Sequence, residues 1–183
     1  MTNNLIGSGP APIDPSRWLL LHRSVRFGDT DAAGVMHFHQ LLRWCHEAYE
    51  ESLEAFGISA AAIFPTPSWT TPSWPPETRD KGDPSQAKVA LPIVHCRADF
   101  LAPLVCGDPL AIALAPRRLT SGSFEVSYSF ACLDGASRPV ARGLTRHVAI
   151  DPLSRLRCNL PSAIEGWLVA SANGEPSPPS TQG

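Results

Sequence analysis

Four stretches between residues 89 and 151 restrict what this chain can fold into. Residues 89–102, 109–118, 123–133 and 140–151 are rich in Val, Ile, Leu, Phe and Tyr and follow a period of two, the pattern of β-strands. Gly107-Asp108, Ser121-Gly122, Asp134-Gly135 and, after the last stretch, Asp151-Pro152 supply turns. Connections this short join only antiparallel neighbours, because a parallel crossover needs about a dozen residues or more. An antiparallel sheet follows, and the remaining question is what covers it.

The sequence offers one substantial candidate. From Phe38 the apolar positions become Phe38, Leu41, Leu42, Cys45, Ala48, Tyr49, Leu53 and Phe56, with Ser52 on the same face, while Arg43, Glu47, Glu50, Glu51 and Glu54 take the other side. This spacing predicts a long amphipathic helix closed by Gly57 as its C′ residue. Ahead of it, residues 17–27 alternate in their second half as a half-buried strand, and Gly28-Asp29-Thr30-Asp31 breaks that pattern as a turn. Residues 161–170 predict a short last helix, with Pro161 near its first turn and Trp167 and Leu168 docking it. The order is strand, helix, four strands, helix. It implies an α+β fold in which a five-stranded antiparallel sheet carries the long helix on one face. No element is left for the other face, and an uncovered apolar face predicts self-association into a dimer or tetramer.

Proline marks where this unit stops. Of 19 prolines in 183 residues, twelve fall within residues 1–16, 59–87 and 171–183. The expected organisation is a disordered extension at 1–16, a domain at 17–170 interrupted by a Pro/Trp-rich insertion at 59–87, and a disordered tail at 171–183. Apolar residues at 43% and charged residues at 17% are those of a globular protein. A net charge of −2, with no basic run longer than Arg117-Arg118, gives nothing to draw the chain to nucleic acid or an anionic membrane. A small molecule is the expected partner. No stretch is apolar for the roughly 18 residues that span a bilayer, and the first basic residue is Arg17, so a cytoplasmic chain without membrane insertion is expected. Five scattered cysteines (45, 96, 106, 132 and 158) without a CxxC pair read as reduced hydrophobes rather than a disulfide framework or zinc site.

The chemistry-bearing residues lie in the run Val25-Arg-Phe-Gly-Asp-Thr-Asp-Ala-Ala-Gly-Val-Met-His-Phe-His39, which enters the helix, and in Asp99-Phe-Leu-Ala-Pro-Leu-Val-Cys-Gly-Asp108. An acidic loop followed within a turn by a helix N-terminus suits hydrolysis of an activated carbonyl. Free N–H groups at a helix start favour developing negative charge. A nearby carboxylate attacks the carbonyl or deprotonates water, and sequence does not separate these roles.

Together, F-G-D-x-D-x-x-G-x-x-x-F and F-x-x-P-x-x-x-G-D resemble the 4-hydroxybenzoyl-CoA thioesterase family of hotdog-fold proteins. The string from Gly28 to Ala48 is most similar to its cyanobacterial 1,4-dihydroxy-2-naphthoyl-CoA hydrolase branch. The resemblance spans about residues 17–168. It implies a hotdog fold, homo-oligomers with sites between subunits, an acyl-CoA substrate, no cofactor, and a place in phylloquinone or menaquinone synthesis. It puts the catalytic carboxylate at Asp31 and the carbonyl-polarising backbone N–H at Phe38. Asp29 is read as a residue bracing the loop, and an Asx turn is the alternative reading of both aspartates. Arg117, Arg118, Ser121 and Ser123 are candidate coenzyme A contacts, with Arg142, Arg146 and His147 extending that surface; a solvated strand edge is the alternative. Hotdog hydratases carry D-x-N-P-x-H, whereas Met36 stands five residues after Asp31. His37, His39 and His46 with the two aspartates do not read as a metal site, since His39 and His46 are seven positions apart on one helix. The repeat Thr66-Pro-Ser-Trp69, Thr71-Pro-Ser-Trp74 is read either as a lid over a flat acyl group or as a surface loop. Three functions are consistent with these residues: hydrolysis of 1,4-dihydroxy-2-naphthoyl-CoA, a broader acyl-CoA thioesterase activity, and acyl-CoA binding without turnover.

Overall fold

The computed structural model describes residues 14–59, 89–135 and 137–172. Most of the expected insertion, including Trp69 and Trp74, lies outside the described residues, as do most of the two expected tails. The described elements are α1 (Ser16–Leu19), β1 (Leu20–Ser24), a 3₁₀ turn (Phe27–Asp29), α2 (Phe38–Phe56), β2 (Ile93–Phe100), β3 (Pro109–Thr120), β4 (Ser123–Cys132), β5 (Arg138–Val148) and α3 (Ser162–Ala172). The strands form one antiparallel sheet in the order β1-β3-β4-β5-β2.

One boundary differs from the expected pattern. Residues 17–19 form a helical turn, not the start of the first strand. The Asp14 carboxylate accepts the Ser16 N–H at 2.9 Å and the Ser16 hydroxyl at 2.8 Å, and Pro15, at φ −62°, presets the turn. That turn buries Trp18 and Leu19 before the strand begins.

Helix α2 lies across the sheet. It buries Leu41, Cys45, Ala48, Tyr49, Ser52 and Leu53 as the spacing predicts, and also Gln40 and Trp44. Gly57 ends it at φ +99°; its N–H bonds the Glu54 carbonyl at 2.9 Å while the Ile58 N–H reaches Leu53 at 2.8 Å, a Schellman closure. Close approach of helix to sheet depends on Gly143 of β5, where an added Cβ would sit 2.4 Å from Cys45 Sγ.

At the C-terminal end of α2 the core is aromatic and closed. Tyr49, Phe124, His147 and Trp167 pack together, with Phe124 stacked on the His147 ring at 4.7 Å. Helix α3 is tied in through its polar handles: Trp167 Nε1 donates to Ser52 Oγ at 3.1 Å, and Trp18 Nε1 donates to Ser171 Oγ at 3.0 Å.

The opposite face of the sheet is not the continuous apolar surface expected of it. Strand alternation and register put Ala111, Ala113 and Ala115 of β3 there, with Ser127 and Ser129 of β4 and Arg142 and Arg146 of β5. Towards the β3–β4 turn this face carries an ionic staple across three strands. Buried Glu125 on β4 binds Arg117 on β3 and Arg146 on β5, and these two arginines, Arg117 first, hold its carboxyl below the usual carboxylate range. Exposed apolar side chains gather instead along β2, at Ile93, Val94 and Phe100, and in the adjoining Leu101 and Val105. Among the described residues, no helix is long and apolar enough to cross a membrane.

Candidate active site

The loop between β1 and α2 is a small hairpin. Thr30 and Met36 form an antiparallel bridge, the Asp31 N–H bonds the Val35 carbonyl at 2.9 Å, and the Gly34 N–H returns to the Asp31 carbonyl at 3.0 Å. Gly34 closes this turn at φ +77°, a conformation glycine adopts at little steric cost. A second segment holds the hairpin down: Val35 bridges Val105, and the Met36 N–H bonds the Leu104 carbonyl at 2.8 Å. That segment is fixed in turn by Asp108, whose carboxylate accepts the Val105 N–H at 2.9 Å while its carbonyl accepts the Val25 N–H at the same distance.

The two aspartates of D-x-D have separate surroundings. Asp29 Oδ2 accepts the Arg26 N–H at 2.8 Å and the Asp29 carbonyl accepts the His37 N–H at 2.8 Å, so Asp29 braces both ends of the loop. Asp31 makes an Asx turn through Oδ1, which accepts the Ala33 N–H at 2.8 Å. Its Oδ2 has no partner among the described residues. Asp31 is seven residues ahead of Phe38, and the hairpin folds it back opposite Val35, which is three residues ahead of Phe38.

Helix α2 starts at this point with His37 as its N-cap. Its first three amides are distributed unevenly. The His39 N–H goes to His37 Nδ1 at 3.4 Å and the Gln40 N–H to the His37 carbonyl at 3.0 Å, whereas the Phe38 N–H has no partner among the described residues. A cavity of about 350 Å³ adjoins the loop, lined by Val35, Met36, Phe100, Leu101, Ala102, Pro103 and Leu104. The large side chains around this end are open to solvent: Phe27 is 85% exposed, Phe38 69%, Phe100 51%. Phe38, counted on the buried face by its spacing, therefore points away from the core.

The candidate coenzyme A residues lie elsewhere in the chain. Arg117 and Arg118 are at the far end of β3 from Pro109, which adjoins the loop; eight residues of strand at about 3.3 Å each separate them by roughly 26 Å. Arg117 is paired with Glu125, and Arg118 with Glu165 of α3 at 2.9 Å. Ser123 Oγ bonds Thr120 Oγ1 at 2.7 Å, while Ser121 is exposed and its carbonyl accepts the Leu160 N–H. One chain does not bring these four residues to Asp31. His147 does not belong to this surface: it is on the core face, 1% exposed, and burial lowers its pKa to about 4. Among the described residues, no three His, Cys, Asp or Glu side chains converge as a metal site requires.

Two features were missed in the sequence. The cavity wall forms only when the Phe100–Leu104 segment meets Val35 and Met36, and the F-x-x-P motif was the available signal. The capping role of His37 had a local signal, its place directly before the first helical residue. Histidine is not among the residues usually expected there.

Comparison with known proteins follows the same boundaries. The sequence pattern of the thioesterase-like superfamily matches residues 25–168. A 1,4-dihydroxy-2-naphthoyl-CoA hydrolase of Synechococcus sp. strain RCC307 is 56% identical over 147 residues, 80% of this chain and 98% of the relative. The one from Prochlorococcus marinus strain MIT 9303 is 50% identical over 165 residues, 89% of this chain and 97% of the relative. Among solved structures, the 1,4-dihydroxy-2-naphthoyl-CoA thioesterase of Synechocystis superposes with a TM-score of 0.67 at 31% identity, covering 82% of this chain and 95% of its own. The chain belongs to the thioesterase-like superfamily, with the expected hotdog architecture, and groups there with the 1,4-dihydroxy-2-naphthoyl-CoA hydrolases.

Proposed function

We propose that this protein hydrolyses 1,4-dihydroxy-2-naphthoyl-CoA to 1,4-dihydroxy-2-naphthoate and coenzyme A, as a cytoplasmic step of phylloquinone or menaquinone synthesis. One observation carries the mechanism: Asp31, a carboxylate with an oxygen to spare, is seven residues ahead of Phe38, whose N–H is the one amide of the helix start without a partner among the described residues, beside an apolar cavity. The substrate reading draws support from the printed activity of relatives 50–56% identical over most of their length. The cavity volume falls at the lower end of the roughly 300–1,000 Å³ range of small-molecule sites.

In this mechanism the acyl group enters against Val35, Met36 and Phe100, and its carbonyl oxygen takes the Phe38 N–H. Asp31 attacks the carbonyl carbon or removes a proton from the attacking water. Charge gathers on the carbonyl oxygen, where the amide and the positive end of α2 stabilise it, and the C–S bond then breaks to release coenzyme A as a thiolate that takes up a proton; where Asp31 is the nucleophile, water then cleaves the Asp31–acyl anhydride to the free acid and restores the carboxylate.

A second copy of the chain completes the site. β2 pairs with β5 along one edge, while among the described residues its other edge carries no strand, and Val94 is exposed. An exposed strand edge is a template for pairing with another chain, and Ile93, Val94 and Phe100 give this one apolar surface to cover. Joining two copies there covers the open apolar surface beside the Asp31 loop. Assembly of copies would also let Arg117, Arg118, Ser121 and Ser123 serve coenzyme A as residues of a neighbouring subunit. Thiol release from naphthoyl, benzoyl and fatty acyl thioesters of coenzyme A tests the function: the naphthoyl substrate is expected to give the highest kcat/KM, and equal rates or none overturn the assignment. Sedimentation tests the assembly, which a stable monomer rules out.

A further inference from the structure

The helix that supplies the polarising amide is capped by a residue with an uncommon side chain for that position. Ser, Thr, Asp and Asn are the common N-caps. Here His37 accepts through Nδ1, the ring atom as many bonds from the backbone as the Oδ1 of an asparagine. The same residue is fixed from three sides. Its backbone N–H donates to the Asp29 carbonyl at 2.8 Å, its carbonyl accepts the Gln40 N–H, and its ring packs on Phe38 with centroids 4.6 Å apart. The His39 ring also turns back onto it, Nδ1 against Nδ1. His37 therefore joins the aspartate loop to the first turn of α2. It also determines which amide stays free, because it consumes the His39 and Gln40 N–H groups and leaves the Phe38 N–H.

Building on the thioesterase reading above, we infer that His37 is a positioning residue for the reaction: by capping α2 through Nδ1 it aims the Phe38 N–H at the thioester carbonyl. Without the ring acceptor, the His39 N–H becomes a second free donor, while the backbone bonds of residue 37 to Asp29 and Gln40 remain. The carbonyl then meets two free amides in place of one, at a first turn that has lost its side-chain tie. Such a loss falls on the transition state, where charge reaches the oxygen, more than on substrate binding.

The test uses the full-length protein with His37→Ala, His37→Asn and Asp31→Asn, assayed by thiol release from 1,4-dihydroxy-2-naphthoyl-CoA with thermal melting of each variant. His37→Ala is expected to lower kcat about tenfold with KM within about twofold, a partial share of what losing an oxyanion donor costs. His37→Asn, which presents an acceptor at the same place, should recover kcat to within about threefold of the natural protein. A kcat for His37→Ala within twofold of the natural protein overturns the inference, as does a His37→Asn variant no better than His37→Ala. Asp31→Asn separates this from the underlying reading. Full activity in that variant removes the proposed mechanism, whereas its inactivity beside an unimpaired His37→Ala removes only the role of His37.

Discussion

The two ends of helix α2 are built on opposite terms. Around Tyr49 and Leu53 the helix is sealed: Phe124, His147 and Trp167 close over it, and the indole N–H groups of Trp18 and Trp167 have partners. Around Phe38 the same helix is open, with aromatic rings in solvent and, among the described residues, no partner for the Phe38 amide or for Asp31 Oδ2. Both ends are amphipathic helix against antiparallel sheet, so the contrast is one of enclosure. Stability is concentrated where the packing is closed, even though Tyr49 OH is buried there without a partner among the described residues, and reactivity where groups are left for a substrate and a second chain.

Asp31→Asn should break the contrast most sharply. Thiol release is expected to fall by about 10²–10⁴-fold, the usual contribution of a general base, while the thermal midpoint stays that of the natural protein. The reverse pattern is expected at the sealed end: Trp167→Ala, which empties a fully buried site, should cost about 3–5 kcal/mol in urea unfolding, with kcat per folded molecule unchanged. Acid acts on the same end. His147 lies in a buried chain in which Tyr128 OH meets Thr145 Oγ1 at 3.1 Å, Thr145 Oγ1 meets His147 Nε2 at 3.0 Å and Nδ1 faces the Leu91 carbonyl at 3.4 Å. Burial lowers its pKa from 6.5 to about 4, aided by His46, so the unfolded chain binds a proton that the folded one refuses. Stability should therefore fall as pH drops from about 6.5 to 4, by about 3 kcal/mol from this group, and His147→Gln should remove that share of the slope. The smallest stability change is expected at the open end. Phe38→Ala should move stability by about 0.5 kcal/mol or less, because the ring is already in water, but should raise KM for an aromatic thioester.

The same contrast explains how much could be read from the sequence. The sealed end obeys periodicity: apolar spacing gave the helix from Phe38 to Phe56, its glycine stop, and the last helix with Trp167 and Leu168 inward. Alternation gave strands whose observed ends fall within a few residues of those expected. Periodicity fails where a residue's role depends on what is left unpaired. It put Phe38 on the core face because the count of three and four cannot show that the helix has passed the edge of its cover. It missed the turn at residues 17–19, since the cause is hydrogen bonding from Ser16 to the Asp14 carboxylate and not the alternation of the strand. It also predicted an apolar outer face, although the Glu125 staple and the alanine and serine positions beside it become visible only in the strand register. Asp31 and Phe38 were readable as a motif; the arrangement that leaves one oxygen and one amide free was not, because it rests on contacts with Leu104 and Val105.

Those contacts have a kinetic consequence. Val35 meets Val105, a residue 70 positions further along the chain, and the entropy of closing so long a loop must be overcome before the hairpin around Asp31 is held. Helix α2 needs no such meeting, since its bonds are local and form early. On refolding from denaturant, helical signal should appear first and hydrolytic activity only with the slower phase in which the sheet assembles, so that a newly made chain is inert until residues well beyond the helix have joined it.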